Sequence, residues 1–239
     1  MRKLVLFDID GTLVLTGGAG IRAMNRACEA VVGHPDGLKG VAVAGRTDRS
    51  ILIDALSRAG RSLDDGLLAT LREQYVANLR EEIEMPGRPQ TTESLGARGN
   101  IKAVMPGIRE LLDALQVRDD VFVGLLTGNF AAGARIKLEH FDLWKYFRCG
   151  AFGDDSADRN ALVPFALDRA RRCGLPDLAP ADILVVGDTP HDVACALAVG
   201  ALPIGVATGG YTSGQLRESG ADIVFEDLSA TDEFLRLVS

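Results

Sequence analysis

The sequence predicts an α/β protein, a doubly wound parallel sheet with an all-helical unit inserted after its first strand. Two observations carry this. From about Met105 onward, short apolar runs without polar alternation are separated by amphipathic helical patterns, as expected of strands covered on both faces. Residues 15 to about 100 hold no strand pattern and three helical ones. A chain of 239 residues, 47% hydrophobic and 25% charged, has core enough for one large domain or two moderate ones.

KLVLF (3–7) is the first strand, and it runs straight into Asp8, Ile9 and Asp10. The inserted helices are marked by Ile21, Met24, Cys28 and Val31; by Ile51, Ala55, Leu56 and Ala59; and by Leu67, Leu71, Tyr75, Leu79 and Ile83. The chain should cross between the two units at LTGG (15–18) and ARGNIKAVMPG (97–107), where glycine and proline permit sharp turns. PGRPQTTESLGARG (86–99) reads as a loop with a short helix inside. Further strands are VFVGLLT (121–127), DILVVGD (182–188), LPIGVAT (202–208) and DIVFE (222–226). Between them lie IRELLDAL, with Ile108, Leu111, Leu112 and Leu115 on one stripe, and LVPFALDRARRC, ended by Gly174. The FDLWKYF stretch (141–147), with the sole tryptophan, reads as core packing. Residues 1–14 and 104–239 then form the α/β core and 15–103 the helical unit.

A net charge of −7 argues against a general nucleic-acid or membrane-surface binder, because a polyanion would be repelled over most of the surface. Cys28, Cys149, Cys173 and Cys195 are scattered, which disfavours a zinc site or disulfide framework and fits a reducing cytoplasm. Met1 to Phe7 begins like a secretory leader, but Asp8 and Asp10 interrupt it, and no segment has the length to span a bilayer.

In open parallel sheets, ligands bind beyond the carboxyl ends of the strands. The first strand delivers Asp8 and Asp10, the next Thr127, Gly128 and Asn129, and the third Asp188 with Asp192 close behind. Clustered carboxylates repel, and a hard divalent cation such as Mg²⁺, which takes oxygen ligands beside a phosphate, resolves the conflict; without one, protons must be taken up. Each residue also has a plainer reading, since Asp188 or Thr127 could be the N-cap of the helix that follows.

FDIDGTL, LLTGN and VVGDTPHD together resemble the first, second and fourth motifs of the haloacid dehalogenase superfamily. The inserted unit resembles the helical cap of its phosphoglycolate phosphatase-like and β-phosphoglucomutase-like branch. The resemblance implies a Rossmann-like core and a Mg²⁺-dependent phosphatase acting on a small-molecule phosphate ester. It makes Asp8 the nucleophile that forms an aspartyl-phosphate, and Asp10 the general acid and base. Mg²⁺ falls to the Asp8 and Asp188 carboxylates and the Asp10 carbonyl, with Asp192 behind them, and phosphoryl oxygens fall to Thr127, Gly128 and Asn129.

The third motif departs from the pattern, which has a lysine: DDSADRNALVPFALDRA offers Arg159 instead. Arginine keeps the charge and can grip phosphate through two N–H groups; the alternative is a surface arginine paired with Asp155 or Asp158. In AGRTD (44–48), Arg46 either recognises the far end of an anionic substrate or is a solvated neighbour of an N-cap Thr47. His34, His140 and His191 have no assigned chemistry.

A sugar-phosphate mutase would share the nucleophile. A receiver-type phosphoacceptor would place its aspartate after the third strand, and a dinucleotide-binding oxidoreductase would need a GxGxxG motif after the first. Phosphoglycolate is the first expected substrate, and the chain is expected to be a monomer or homodimer without nucleic-acid or membrane partners.

Overall fold

The computed structural model describes residues 2–87 and 100–239. The short helix expected within 86–99 lies outside the described residues, apart from its first two positions. The core is a six-stranded parallel sheet built from β1 (Lys3–Phe7), β4 (Val121–Leu126), β5 (Gly150–Ala151), β6 (Ile183–Gly187), β7 (Leu202–Val206) and β8 (Ile223–Phe225). Their order across the sheet is β5-β4-β1-β6-β7-β8. The chain winds outward from β1 in one direction, then returns to build the other half. The crevice beyond the end of β1, flanked by β4 and β6, is therefore the topological switch point.

The pleat of β1 shows why this stretch reads as continuously apolar. Val5 and Phe7 join a cluster with α4 (Ile108–Gln116), α5 (Ala131–His140) and α9 (Thr231–Leu237) on one face. Leu4 and Leu6 join α6 (Leu162–Arg172) and α7 (Pro190–Leu197) on the other. All four side chains are fully buried, each stabilising the fold by roughly 1.5–3 kcal/mol. Trp144 packs at the margin of the first cluster, as expected. Helix α8 (Ser213–Glu218) completes the layer over β7 and β8.

Residues 19–82 supply α1 (Ala19–Val32), α2 (Asp48–Arg58) and α3 (Asp65–Glu82), which bury a core of their own around Met24, Leu52, Leu56, Leu71 and Tyr75. Phe130, from the sheet-bearing unit, enters that core with its ring 6.1 Å from Tyr75. The two crossings are not plain hinges. β2 (Val14–Thr16) and β3 (Lys102–Val104) pair antiparallel, Val14 opposite Val104 and Thr16 opposite Lys102. Three-residue strands carry too little periodicity to be read from sequence, and β5, with two residues, escaped for the same reason. All four cysteines are free. Among the described residues, no helix is long and apolar enough to cross a membrane.

Candidate active site

The Asp8 backbone N–H donates to the Val186 carbonyl at 2.9 Å, so the end of β1 stays fixed to β6 as the chain leaves the sheet. Gly11 then turns with φ +89°, a conformation that disfavours other residues, and a Cβ at either Gly11 or Gly209 would overlap the Asp188 carboxylate. Thr12 Oγ1 donates to Asp188 Oδ1 at 3.1 Å, and Thr208 Oγ1 donates to the Gly11 carbonyl at 2.6 Å. Oxygens of Asp8, Asp188 and Asp192, all buried, lie within 4.8 Å of one another. Burial, reinforced by Asp192 and Asp10 against the pull of Arg159, pushes the Asp8 carboxyl up to about 6. Burial and the neighbouring Asp192 and Asp8 drive Asp188 well above the carboxylate range.

Asp188 does not cap α7. Thr189 does, in a capping box where Asp192 Oδ2 accepts from the Thr189 N–H at 3.1 Å and hydroxyl at 2.7 Å. Asp192 Oδ1 accepts from Arg159 Nη2, which also lies 3.1 Å from Asp8 Oδ1. Arg159 is thus no surface residue. It is 7% exposed, and the suggested partner Asp155 pairs instead with Arg169 at 2.6 Å. Its Nη1 donates to the Gly45 carbonyl at 3.2 Å. Among the described residues, its Nε is the sole buried side-chain polar atom without a hydrogen-bond partner.

Thr127, fully buried, does not cap α5; Phe130 holds that position. Thr127 Oγ1 accepts from the Asn129 side-chain amide at 2.8 Å and its N–H at 3.3 Å, which leaves the hydroxyl proton for another acceptor. The Asn129 side chain lines the cavity and is held by two neighbours. It donates to Asp10 Oδ2 at 2.8 Å and accepts from Lys137 Nζ at 2.6 Å. Lys137, 4% exposed, donates to both Asp10 oxygens at 2.8 and 2.6 Å. Sequence reasoning missed this lysine. The available signal was its place on α5 beside Leu138 and one turn after Gly133 and Ala134, a face too small-residue and apolar for a solvated lysine.

The loop ahead of α2 sits directly on this site. The Asp48 N–H donates to the Gly128 carbonyl at 2.7 Å, Asp48 Oδ2 accepts from the Phe130 N–H at 2.8 Å, and Thr47 Oγ1 donates to the Ala157 carbonyl at 2.8 Å. A Cβ at Gly128 would overlap the Arg46 carbonyl, so only glycine allows that approach. Thr47 is the N-cap of α2, accepting from the Ser50 N–H at 3.1 Å. Arg46 lines the cavity, but its Nη1 is committed to Asp54 at 2.5 Å. Burial, only partly offset by Lys137, lifts Asp48 to about 7; this buried acid was not expected either. The cavity measures about 160 Å³ and is lined by residues of both units. His191 packs beside Gly45, its imidazole pushed down by burial and Arg159; His34 and His140 are bonded to the Pro35 carbonyl and Glu84.

A doubly wound sheet that gathers three buried aspartates, an arginine and a Thr-Gly turn at its switch point defines a hydrolase of the phosphoryl-handling type. Residues 2–200 match the family of haloacid dehalogenase-like hydrolases. The chain is 27% identical over 245 residues to the phosphoglycolate phosphatase of Agrobacterium fabrum, covering 100% of this chain and 95% of that one. It is 26% identical to the phosphoglycolate phosphatase of Shigella boydii, covering 94% and 89%. Among solved structures, a hydrolase from Pseudomonas syringae superposes with a TM-score of 0.67 at 22% identity over 100% of both chains. A candidate β-phosphoglucomutase from Thermotoga maritima does so with a TM-score of 0.58 at 20% identity, also over 100% of both. The chain belongs to the haloacid dehalogenase-like hydrolases.

Proposed function

We propose that this enzyme is a Mg²⁺-dependent phosphatase of small phosphate monoesters and works through an aspartyl-phosphate on Asp8. The observation that carries the reading is Arg159, 3.1 Å from Asp8 with its buried Nε unpartnered. A phosphoryl oxygen seated against Asp8 supplies the acceptor that this donor lacks.

The donor set fits Mg²⁺: carboxylate and carbonyl oxygens, raised carboxyl pKa values that a cation would reverse, and an Asp188 carboxylate whose position only glycine at 11 and 209 allows. The Asp8 and Asp188 carboxylates and the Asp10 carbonyl would hold it. Asp192, already bound to Arg159 and Thr189, orients these residues. When bound, Mg²⁺ supplies positive charge that offsets repulsion between the Asp8 carboxylate and the incoming phosphate.

An Asp8 carboxylate oxygen attacks phosphorus while the bond to the leaving alcohol breaks, and Asp10 gives the departing oxygen its proton. Asp10 then takes a proton from water as the water oxygen attacks the aspartyl-phosphate. This frees the Asp8 carboxylate and inorganic phosphate. The Thr127 hydroxyl, the N–H groups beside Gly128 and Arg159 hold the phosphoryl oxygens as charge shifts. Lys137 and Asn129 aim the Asp10 carboxylate.

The test is phosphate release from a panel of small esters with Mg²⁺, beside Asp8→Asn. Mg²⁺-dependent multiple turnover that is lost in the variant supports the reading. No turnover in the wild type sinks it, and dependence on a bisphosphate activator would mark a mutase instead.

A further inference from the structure

Resting on the phosphatase reading of this site, we propose that the preferred substrate carries an uncharged, largely apolar leaving group rather than a second anion such as the carboxylate of phosphoglycolate. The part of the lining contributed by the helical unit and its first crossing is largely apolar, with Leu15, Ile21, Met24, Leu38, Val43 and Ile51 in it. These come from β2, α1, α2 and the segment joining the two helices. Among the described residues lining the space, the cations are Arg46, Lys137 and Arg159, and each already pairs with a carboxylate of this chain, the Arg159 Nε being the donor left to the phosphoryl group. Arg159 serves Asp8 and Asp192, Lys137 serves Asp10 and Asn129, and Arg46 serves Asp54.

A second anion on the substrate would therefore meet, among the described residues lining the cavity, no cation without a carboxylate partner, while Asp48 lines the same space. Burying an unpaired carboxylate is costly, whereas an alkyl group gains by leaving water. Tyr75 also lines the cavity, and its hydroxyl is a neutral group that can take one hydroxyl of a leaving group. Size sets a second limit. A space of about 160 Å³ is on the scale of the roughly 150 Å³ engineered cavity that binds benzene, so a short alcohol fits.

The experiment compares 2-phosphoglycolate with 2-methylpropyl phosphate, whose leaving group has the same heavy-atom skeleton with two methyls in place of the carboxylate oxygens. Initial phosphate release with Mg²⁺ gives kcat/KM for each, with p-nitrophenyl phosphate as a general substrate. At least a tenfold preference for 2-methylpropyl phosphate is expected in the wild type, and Ile21→Lys, which sets a cation in the wall, should cut that ratio at least tenfold. A wild-type ratio under tenfold, or in favour of phosphoglycolate, overturns the inference while leaving the phosphatase reading standing. Release from none of the three esters overturns the phosphatase reading itself, and the inference with it.

Discussion

Asp48 is a buried acid in the seam between the helical unit and the sheet, and replacing it by asparagine gives a sharply signed prediction. The amide oxygen of Asp48→Asn can still accept the Phe130 N–H, now at 2.8 Å from Oδ2, so the change removes charge and little else. Burial lifts the carboxyl from 3.8 to about 7, and the Phe130 bond and Lys137 only partly oppose it. A raised carboxyl pKa means that the folded protein holds a proton which the unfolded chain has lost. Stability is then greatest below pH 3.8 and falls as pH rises toward 7. The full span corresponds to roughly 4 kcal/mol, an upper figure because the site can relax. At pH 8 the variant should gain about 2–4 kcal/mol, or roughly 5–15 °C in Tm for a chain of this size. At pH 4 the two proteins should differ by less than about 1 kcal/mol. Thermal or urea unfolding across this pH range checks it. A variant no more stable than wild type at pH 8, with an unchanged pH slope, refutes the reasoning.

Four further outcomes follow from the site. Arg159→Lys keeps one charge but loses the planar fork shared by Asp8, Asp192 and the Gly45 carbonyl, so kcat/KM should fall about 100-fold or more, read in the phosphate-release assay. Lys137→Met frees the Asp10 carboxylate from its aim and should lower kcat about 10–100-fold with little change in KM, measured over a full substrate range. EDTA should abolish turnover and added Mg²⁺ restore it. Gly209→Ala, whose Cβ would displace the Asp188 carboxylate, should raise the Mg²⁺ concentration needed for half-maximal rate about tenfold or more.

The parts of the fold that repeat were legible in the sequence. β1, β4, β6 and β7 are apolar on both faces because helices cover both, and α1, α2 and α3 show their stripes because one side of each is wet. The parts set by pairing were not. β2 and β3 find each other across nearly ninety residues through three positions each, and no local pattern announces such a contact.

The site divides in the same way. Asp8, Thr127 and Asp188 stand at successive strand ends, where chain order alone reveals them. Arg159 could be proposed from its place before α6, yet its burial between Asp8 and Asp192 depends on how the 3₁₀ turn at Arg159–Ala161 packs on α7. Lys137 and Asp48 lie on helices where a charged residue is ordinarily solvated, and only the tertiary fold turns them inward. Asn129 shows the converse: its position beside Thr127 suggested phosphate, and its side chain serves Asp10 and Lys137.

The central claim is a phosphoryl group carried covalently by Asp8, and acid-quench trapping tests it most directly. Enzyme mixed with Mg²⁺ and a phosphate-labelled ester is quenched within the first turnover, digested and mapped by mass spectrometry. The account predicts label on the peptide containing Asp8, lost on later addition of alkali, and absent from Asp8→Asn together with turnover. Undiminished turnover by Asp8→Asn, or label on any other residue, would contradict it.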